Sequence, residues 1–247
     1  MSGGQPPLIC TPLIGLDQTM ILAELNTILP KKPDLIEWRA DFFASLANKG
    51  EVVATAAAIR EKIADIPLLF TIRSSREGGQ PLVLDSSQVV EVYAEACHSP
   101  HIDLIDFELS NPAEELHYLQ KTAAATATRL ILSYHNFEST PAPDVIRAKF
   151  EQAEHLGADI AKVAVMPAGL EDVLTLLSLT LAAKNNLRIP VISIAMGEYG
   201  SLTRMFGWVF GSVVTFAVGE KSSAPGQVPI EDLQIVLALV QKGLGLS

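Results

Sequence analysis

The chain has 247 residues, 49% of them hydrophobic, and a formal net charge of −10 at pH 7. With a pI of about 4.9, it is a poor partner for nucleic acid or for an anionic membrane surface. Mean hydropathy is +0.30, yet no apolar run reaches the roughly 18–20 residues that a spanning helix needs, so the excess apolar content points to strands buried on both faces.

Residues 1–7, Met-Ser-Gly-Gly-Gln-Pro-Pro, have no basic stretch followed by an apolar one. They read as a disordered tail and not as a secretory signal, and a cytoplasmic location is expected. Beyond them, apolar runs of strand type alternate with helical segments. The first strand is Leu8–Ile14, followed by a helix with Asp17 as N-cap. The second strand is Asp34–Asp41, the third Pro67–Ser74, the fourth Ile102–Leu109 and the fifth Arg129–His135. Intervening helices are expected over 51–64, 87–97 and 113–126, and Pro141 and Pro143 open another that runs to His155. The sixth strand lies within Gly157–Pro167 and leads to a helix over 170–184 with an apolar face at Leu170, Leu174, Leu177 and Leu181. The seventh strand is Pro190–Met196, with a short helical turn around 202–206. The eighth is Ser212–Val218, and the last helix is Ile230–Gly243.

Eight strand–helix units spaced about 30 residues apart imply a parallel sheet and match a single closed (β/α)8 TIM barrel over residues 8–247. The competitor is an open doubly wound sheet, but no G-x-G-x-x-G follows the first strand. Cys10 and Cys97 lack metal-ligand spacing and read as reduced and structural. No metal site is expected.

Active sites of such barrels lie at the C-terminal ends of the strands. Glu37, Arg39 and Asp41, then Arg73, Arg76 and Glu77, then His135, Lys162, Arg204, and Ser222, Ser223 and Gln227 all fall there, a composition suited to a small polar anion. Each has a plainer reading. Glu37 and Arg39 could form a structural ion pair, His135 could be a hydrogen-bonded structural histidine, and Arg76 reads as solvated surface. Gly78-Gly79 reads as a turn. Lys162 is the informative one, because lysine is almost never fully buried unless its charge is held or removed. Its plainer reading is a charge paired with a rim carboxylate. Its functional reading is a nucleophile. An unperturbed amine is uncharged in only about one molecule in 2,500 at pH 7, and an apolar strand together with Arg39, Arg73 and Arg204 would raise that fraction. Such an amine forms a Schiff base with a ketone. His135, on the neighbouring strand, is placed to take a proton α to the resulting iminium. Glu77 could accept the other imidazole N–H.

The segments Glu37-Trp-Arg39, Thr71-Ile-Arg73, Arg76-Glu-Gly-Gly79, Ser133-Tyr-His-Asn-Phe137, Ala161-Lys-Val-Ala164 and Ser223-Ala-Pro-Gly-Gln227 together resemble the type I 3-dehydroquinate dehydratase family of the shikimate pathway. The resemblance runs the length of the chain, in matching order. It implies a (β/α)8 barrel, commonly a homodimer, that converts the small-molecule substrate 3-dehydroquinate to 3-dehydroshikimate with no metal or cofactor. By motif match, Lys162 would form the imine and His135 would act as general acid and base, with Glu77 orienting it. Arg204 would bind the substrate carboxylate, helped by Ser223 and Gln227. Glu37, Arg39 and Arg73 would hold hydroxyls and the local charge balance. No second pathway domain is apparent, so a stand-alone form is expected. The loop over 219–228 would close over substrate as a lid.

Two other readings remain. A class I aldolase also uses a barrel lysine, but Gly197-Glu-Tyr-Gly200 is a poor phosphate loop. A non-catalytic barrel that binds a small carboxylate would keep the arginine and lose the lysine or the histidine, and both are present.

Overall fold

The computed structural model of the chain describes residues 6–219 and 225–246. Its strands and helices alternate as β1 (Leu8–Leu13), α1 (Gln18–Ile28), β2 (Leu35–Arg39), α2 (Lys49–Ile63), β3 (Leu68–Thr71), α3 (Ser86–His98), β4 (Leu104–Glu108) and α4 (Ala113–Thr126) in the first half. The second half continues with β5 (Arg129–Asn136), α5 (Pro143–His155), β6 (Ile160–Val165), α6 (Leu170–Asn186), β7 (Val191–Ala195), α7 (Gly200–Phe210), β8 (Val214–Val218), a short β9 (Val228–Pro229) and α8 (Ile230–Gly243). Every strand pairing is parallel, in the order β7-β6-β5-β4-β3-β2-β1-β8-β9. The ladder curls back on itself where the Val213 amide donates to the Val191 carbonyl at 2.9 Å, beside one bridge between Val191 and Ser212. This is the expected barrel, with β9 as an added edge.

Local signals start the helices. Asp17 accepts from the Met20 amide at 2.8 Å, as expected for the cap of α1, and Asp85 and Gln88 make a reciprocal capping box at α3.

The period of two along each strand decides what lies inside the barrel. The lower inward positions are apolar: Leu35, Leu69, Leu104, Ile131, Ile160 and Ile192 share one buried cluster. Two residues further up, the same columns carry Glu37, Thr71, Asp106, Ser133 and Lys162, all buried. Outward positions such as Ile36, Trp38, Phe70, Phe107, Leu132 and Val163 belong to a second cluster, between strands and helices. There Trp38, Phe70, Tyr93 and Phe107 meet edge to face, with ring centres 5.2–5.5 Å apart. Tyr93, from α3, ties two strands together. Its hydroxyl accepts from the Ile72 amide at 2.8 Å and donates to the Asp106 carbonyl at 2.6 Å.

A repeated device sets strand register at the lower mouth. The residue just before β2 is Asp34, before β4 Asp103 and before β6 Asp159. Each backbone N–H donates to the carbonyl of one residue on the preceding strand, namely Ile9, Leu68 and Leu130. Each carboxylate accepts from the amide of that same residue, at 2.9, 2.7 and 2.8 Å. Before β8 the equivalent residue is Val213, which makes the backbone bond alone. The clamp is missing at the one seam where the ladder is thin.

Two expectations need correction. On α6, Leu170, Leu174 and Leu181 are exposed, and the buried stripe is Val173, Leu176, Leu177, Leu179, Thr180 and Ala183. Leucine surrounds this helix, so spacing alone offers two apolar faces. The chosen face is the one whose smaller Thr180 and Ala183 allow close approach to β7, where the Thr180 hydroxyl meets the Ser193 hydroxyl at 2.6 Å. The short turn expected over 202–206 is in fact the 11-residue helix α7. Gly207 is a poor helix former, but it lies where α7 faces β7: a Cβ there would sit 3.9 Å from the Ser193 carbonyl oxygen, in ordinary contact.

Candidate active site

At the C-terminal mouth of the barrel a cavity of about 50 Å³ is lined by Glu37, Arg39, Arg73, Glu77, His135, Lys162, Arg204 and Gln227, with Phe137, Met196 and Phe216 among its apolar walls. Of the nine site residues expected from the sequence, eight line this one cavity. The ninth, Ser223, lies outside the described residues, as do residues 220–224 of the expected lid. Arg76 is exposed, in keeping with its surface reading.

Lys162 stands on β6 opposite Ser133 of β5 and Ile192 of β7. Its side chain is 4% exposed and its Nζ donates to the Asp106 carboxylate at 2.7 Å. The same ammonium lies 4.6 Å from the centre of the Phe216 ring, a cation–π contact. The carboxylate partner is the plainer of the two sequence readings of this lysine, realised in place of a bare apolar wall. It does not remove the lysine from the cavity, which it shares with His135.

Asp106 is the centre of the charge network. Its other oxygen accepts from Arg73 Nη2 at 2.7 Å and from the Ser133 hydroxyl at 2.5 Å. Burial alone would raise this carboxyl; Arg73 and Lys162 outweigh burial and hold it well below the usual carboxylate range. Arg73 also donates to Glu108 at 3.2 Å. Burial opposes the Arg73 charge, but Asp106 and Glu108 keep the guanidinium protonated. Arg39 pairs with Asp41 through two bonds of 2.8 Å, so the plainer alternative, a Glu37–Arg39 ion pair, is not formed. Glu37 instead accepts from the Thr71 hydroxyl at 2.9 Å.

His135 closes β5. Its Nδ1 is 2.9 Å from Glu77 Oε2, which also accepts the His135 backbone N–H at 3.0 Å. Burial, then the charges of Arg73 and Lys162, push the imidazole pKa well below its ordinary value, so the ring is neutral near pH 7, with Nδ1 held by Glu77 and Nε2 free for chemistry. Glu77 is itself raised to about 7 by burial and by Glu108, partly offset by Arg73. Gly78-Gly79 is more than a turn: a Cβ on Gly79 would lie 1.9 Å from the Arg73 carbonyl oxygen. That packing brings Glu77 back over the barrel mouth.

Arg204 comes from α7, is 3% exposed and, among the described residues, donates to the backbone carbonyls of Phe216 and Pro225, each at 3.2 Å. Its Nε has no partner, and among the described residues no carboxylate pairs with it. Burial lowers its pKa to about 10. Gly226 packs on the backbone of Gly197, where a Cβ would lie 2.3 Å from the carbonyl oxygen. This contact holds Pro225 and Gln227 beside Arg204.

Sequence reasoning missed Asp106, Glu108 and Ser133. Their signal was present: Leu104-Ile-Asp106-Phe-Glu108 alternates acid and apolar residue on a strand, the same inward column that marks Lys162.

Fold and site together define a parallel (β/α)8 barrel with a buried lysine, a carboxylate-held histidine and a buried arginine around one cavity. The chain belongs to the type I 3-dehydroquinase family, whose model matches residues 9–243. It is 53% identical over 245 residues to a 3-dehydroquinate dehydratase of Albidiferax ferrireducens, covering 99% of this chain and 93% of that protein. It is 52% identical to one of Aromatoleum aromaticum, over 99% of this chain and 94% of the relative. The crystal structure of 3-dehydroquinate dehydratase from Geobacillus kaustophilus superposes with a TM-score of 0.95 at 47% identity, over 97% of this chain and 93% of that one. The type I enzyme of Clostridium difficile, solved with covalently modified comenic acid, gives a TM-score of 0.93 at 36% identity, over 98% of this chain and 95% of that one.

Proposed function

We propose that this chain dehydrates 3-dehydroquinate to 3-dehydroshikimate through an imine on Lys162. The observation that carries the reading is the meeting in one cavity of Lys162, His135 and Arg204, which has no carboxylate partner among the described residues. A buried guanidinium with an unpartnered Nε is a socket for a carboxylate, and a lysine beside a neutral imidazole suits proton removal α to a ketone. The ligand in the Clostridium difficile structure is covalently modified, which supports a covalent mechanism here.

In the proposed sequence the Lys162 ammonium first passes its proton to solvent water and lets go of Asp106, which leaves a free amine. It then adds to the C3 ketone, and loss of one water gives the iminium. His135 Nε2 removes a C2 proton, and the electron pair moves into the iminium to give an enamine. The enamine expels the C1 hydroxyl, which leaves as water with the proton from His135. Hydrolysis of the imine returns the ketone and the free lysine, so the net change is loss of one water. Glu77 holds the histidine tautomer, and Arg204 with Gln227 and Ser223 takes the carboxylate. Glu37, Arg39 and Arg73 hold hydroxyls and the charge balance.

The same reading includes a cytoplasmic homodimer with no nucleic-acid partner. The negative net charge supports the last point. The exposed leucines of α6 are apolar surface of the kind that subunit interfaces bury. No helix among the described residues is long and apolar enough to cross a membrane.

The test is the ultraviolet absorbance of a conjugated enone when purified protein meets 3-dehydroquinate. Appearance of the enone is expected; retro-aldol fragments, or binding without turnover, would replace this reading with the aldolase or the non-catalytic barrel.

A further inference from the structure

Glu77 makes one contact that the mechanism above does not use. Its Oε1, the oxygen turned away from His135, accepts from the Ser110 hydroxyl at 2.7 Å. Ser110 lies in the turn after β4 and is exposed, whereas Glu77 is 3% exposed. The turn is fixed on both sides, because the Leu109 amide donates to the Ser133 carbonyl at 2.7 Å and the Asn111 amide to the Glu108 carbonyl at 3.2 Å. The serine hydroxyl is therefore delivered to Glu77 by backbone geometry, independent of a flexible side chain.

We propose that Ser110 is a positioning residue whose hydroxyl keeps Glu77 as the carboxylate that holds the His135 imidazole with Nε2 available to the cavity. The proposal rests on His135 acting as the base. If Glu77 gains a proton on Oε2, that proton points at Nδ1. The ring proton must then move to Nε2, and the nitrogen facing substrate is no longer a base. The Ser110 O–H can donate only to the charged form with full benefit, so it favours the anion.

The other groups facing Glu77 set the balance. Arg73, on the same segment, approaches Oε2 at 4.0 Å. Glu108 from β4 opposes ionisation. His135 from β5 donates its backbone N–H, and burial opposes the charge. These terms leave Glu77 close to half-ionised near pH 7, the region where one hydrogen bond changes the population most.

The test follows the His135 ring by 15N NMR across pH, with its signals assigned by their loss in His135→Gln. In the parent protein, the Nδ1–H form should give way to the Nε2–H form as pH falls through about 7. In Ser110→Ala the midpoint should rise by about half to one pH unit, a three- to tenfold change in the ratio of the two forms. Ser110→Thr, which keeps the hydroxyl, should restore it. The pH of half-maximal rate should move in parallel. A midpoint unmoved in Ser110→Ala, or a rate lowered by one factor at every pH, would overturn the role of Ser110. The NMR arm needs no substrate, so failure of the dehydratase reading and failure of this one are separable.

Discussion

The Lys162 ammonium and the Asp106 carboxylate lie 2.7 Å apart in the barrel interior, with side-chain exposures of 4% and 0%. One strand, β5, lies between those that carry them, and no motif links them. Asp106 carries two further donors, from Arg73 and Ser133, so the two partners are not equivalent. Lys162 can leave the pair for chemistry while Asp106 stays satisfied.

That asymmetry predicts the outcome of removing each partner. Lys162→Ala leaves Asp106 bonded to Arg73, and the fold should persist with turnover lowered by orders of magnitude. Borohydride with substrate should label the parent protein on this residue and the variant not at all; labelling elsewhere would remove Lys162 from the covalent step. Asp106→Asn takes from buried Lys162 its carboxylate and leaves Arg73 with Glu108, and it should lower stability by about 3–5 kcal/mol, measured by urea denaturation. A loss under about 1 kcal/mol would refute the central place of Asp106.

His135→Ala should separate capture from proton transfer. Imine formation stays possible, while loss of the acid/base group should slow turnover by about 10²–10⁴. Mass spectrometry after mixing with substrate should find a larger covalently trapped fraction than in the parent. An unchanged rate would exclude the imidazole from the reaction.

Arg204→Met removes a buried charge that burial already disfavours. Without ligand the variant should be as stable as the parent or more so. Binding should suffer instead: loss of a charge-assisted bond to a carboxylate is worth about 1.5–3 kcal/mol, so KM should rise about ten- to hundredfold. Thermal melting and steady-state kinetics together check the pair of effects. A destabilised variant with unchanged KM would make Arg204 a structural residue.

Rate should rise with pH through about 7, because Glu77 must ionise to hold the productive tautomer and its pKa lies near 7. The sign for stability is the reverse. A carboxyl raised in the folded state binds its proton more tightly there than in the unfolded chain, so its contribution is greatest below about 4.5 and declines as pH rises to about 7. Glu77→Gln should remove the acid limb of kcat/KM near 7 while lowering the maximum by about tenfold or more. An acid limb that survives in Glu77→Gln would assign it to another group.

The clamps at the lower mouth offer a test far from the chemistry. Asp34→Ala and Asp159→Ala each delete an acceptor for a strand amide, and each should cost about 1–2 kcal/mol in urea denaturation. Activity should hold, since neither residue lines the cavity. Variants as stable as the parent protein would show that backbone pairing alone sets the register.

Much of this could be read from one dimension. The run Gly157–Pro167 announces a buried strand, and a lysine within it demands an explanation. Eight βα units at even spacing specify the barrel, and a barrel specifies which strand ends meet. Eight expected site residues therefore arrive in one cavity although they span residues 37–227. The misses share a cause. Leucine around α6 leaves its buried face undetermined until Thr180 and Ala183 are seen against β7. Arg39 had two acidic neighbours within reach, Glu37 and Asp41, and only the bend after β2 shows that Asp41 is the one it meets.

Residue order alone determined the alternation of strands and helices and the candidate residues at the strand ends, because those depend on periods of two and 3.6 and on local residue chemistry. The tertiary structure decided which charge answers which. Asp106 meets Lys162 and Arg73, and Glu77 meets His135 and Ser110, through strand register and loop path. Those contacts are set by packing between segments far apart in the chain, and no local pattern encodes them.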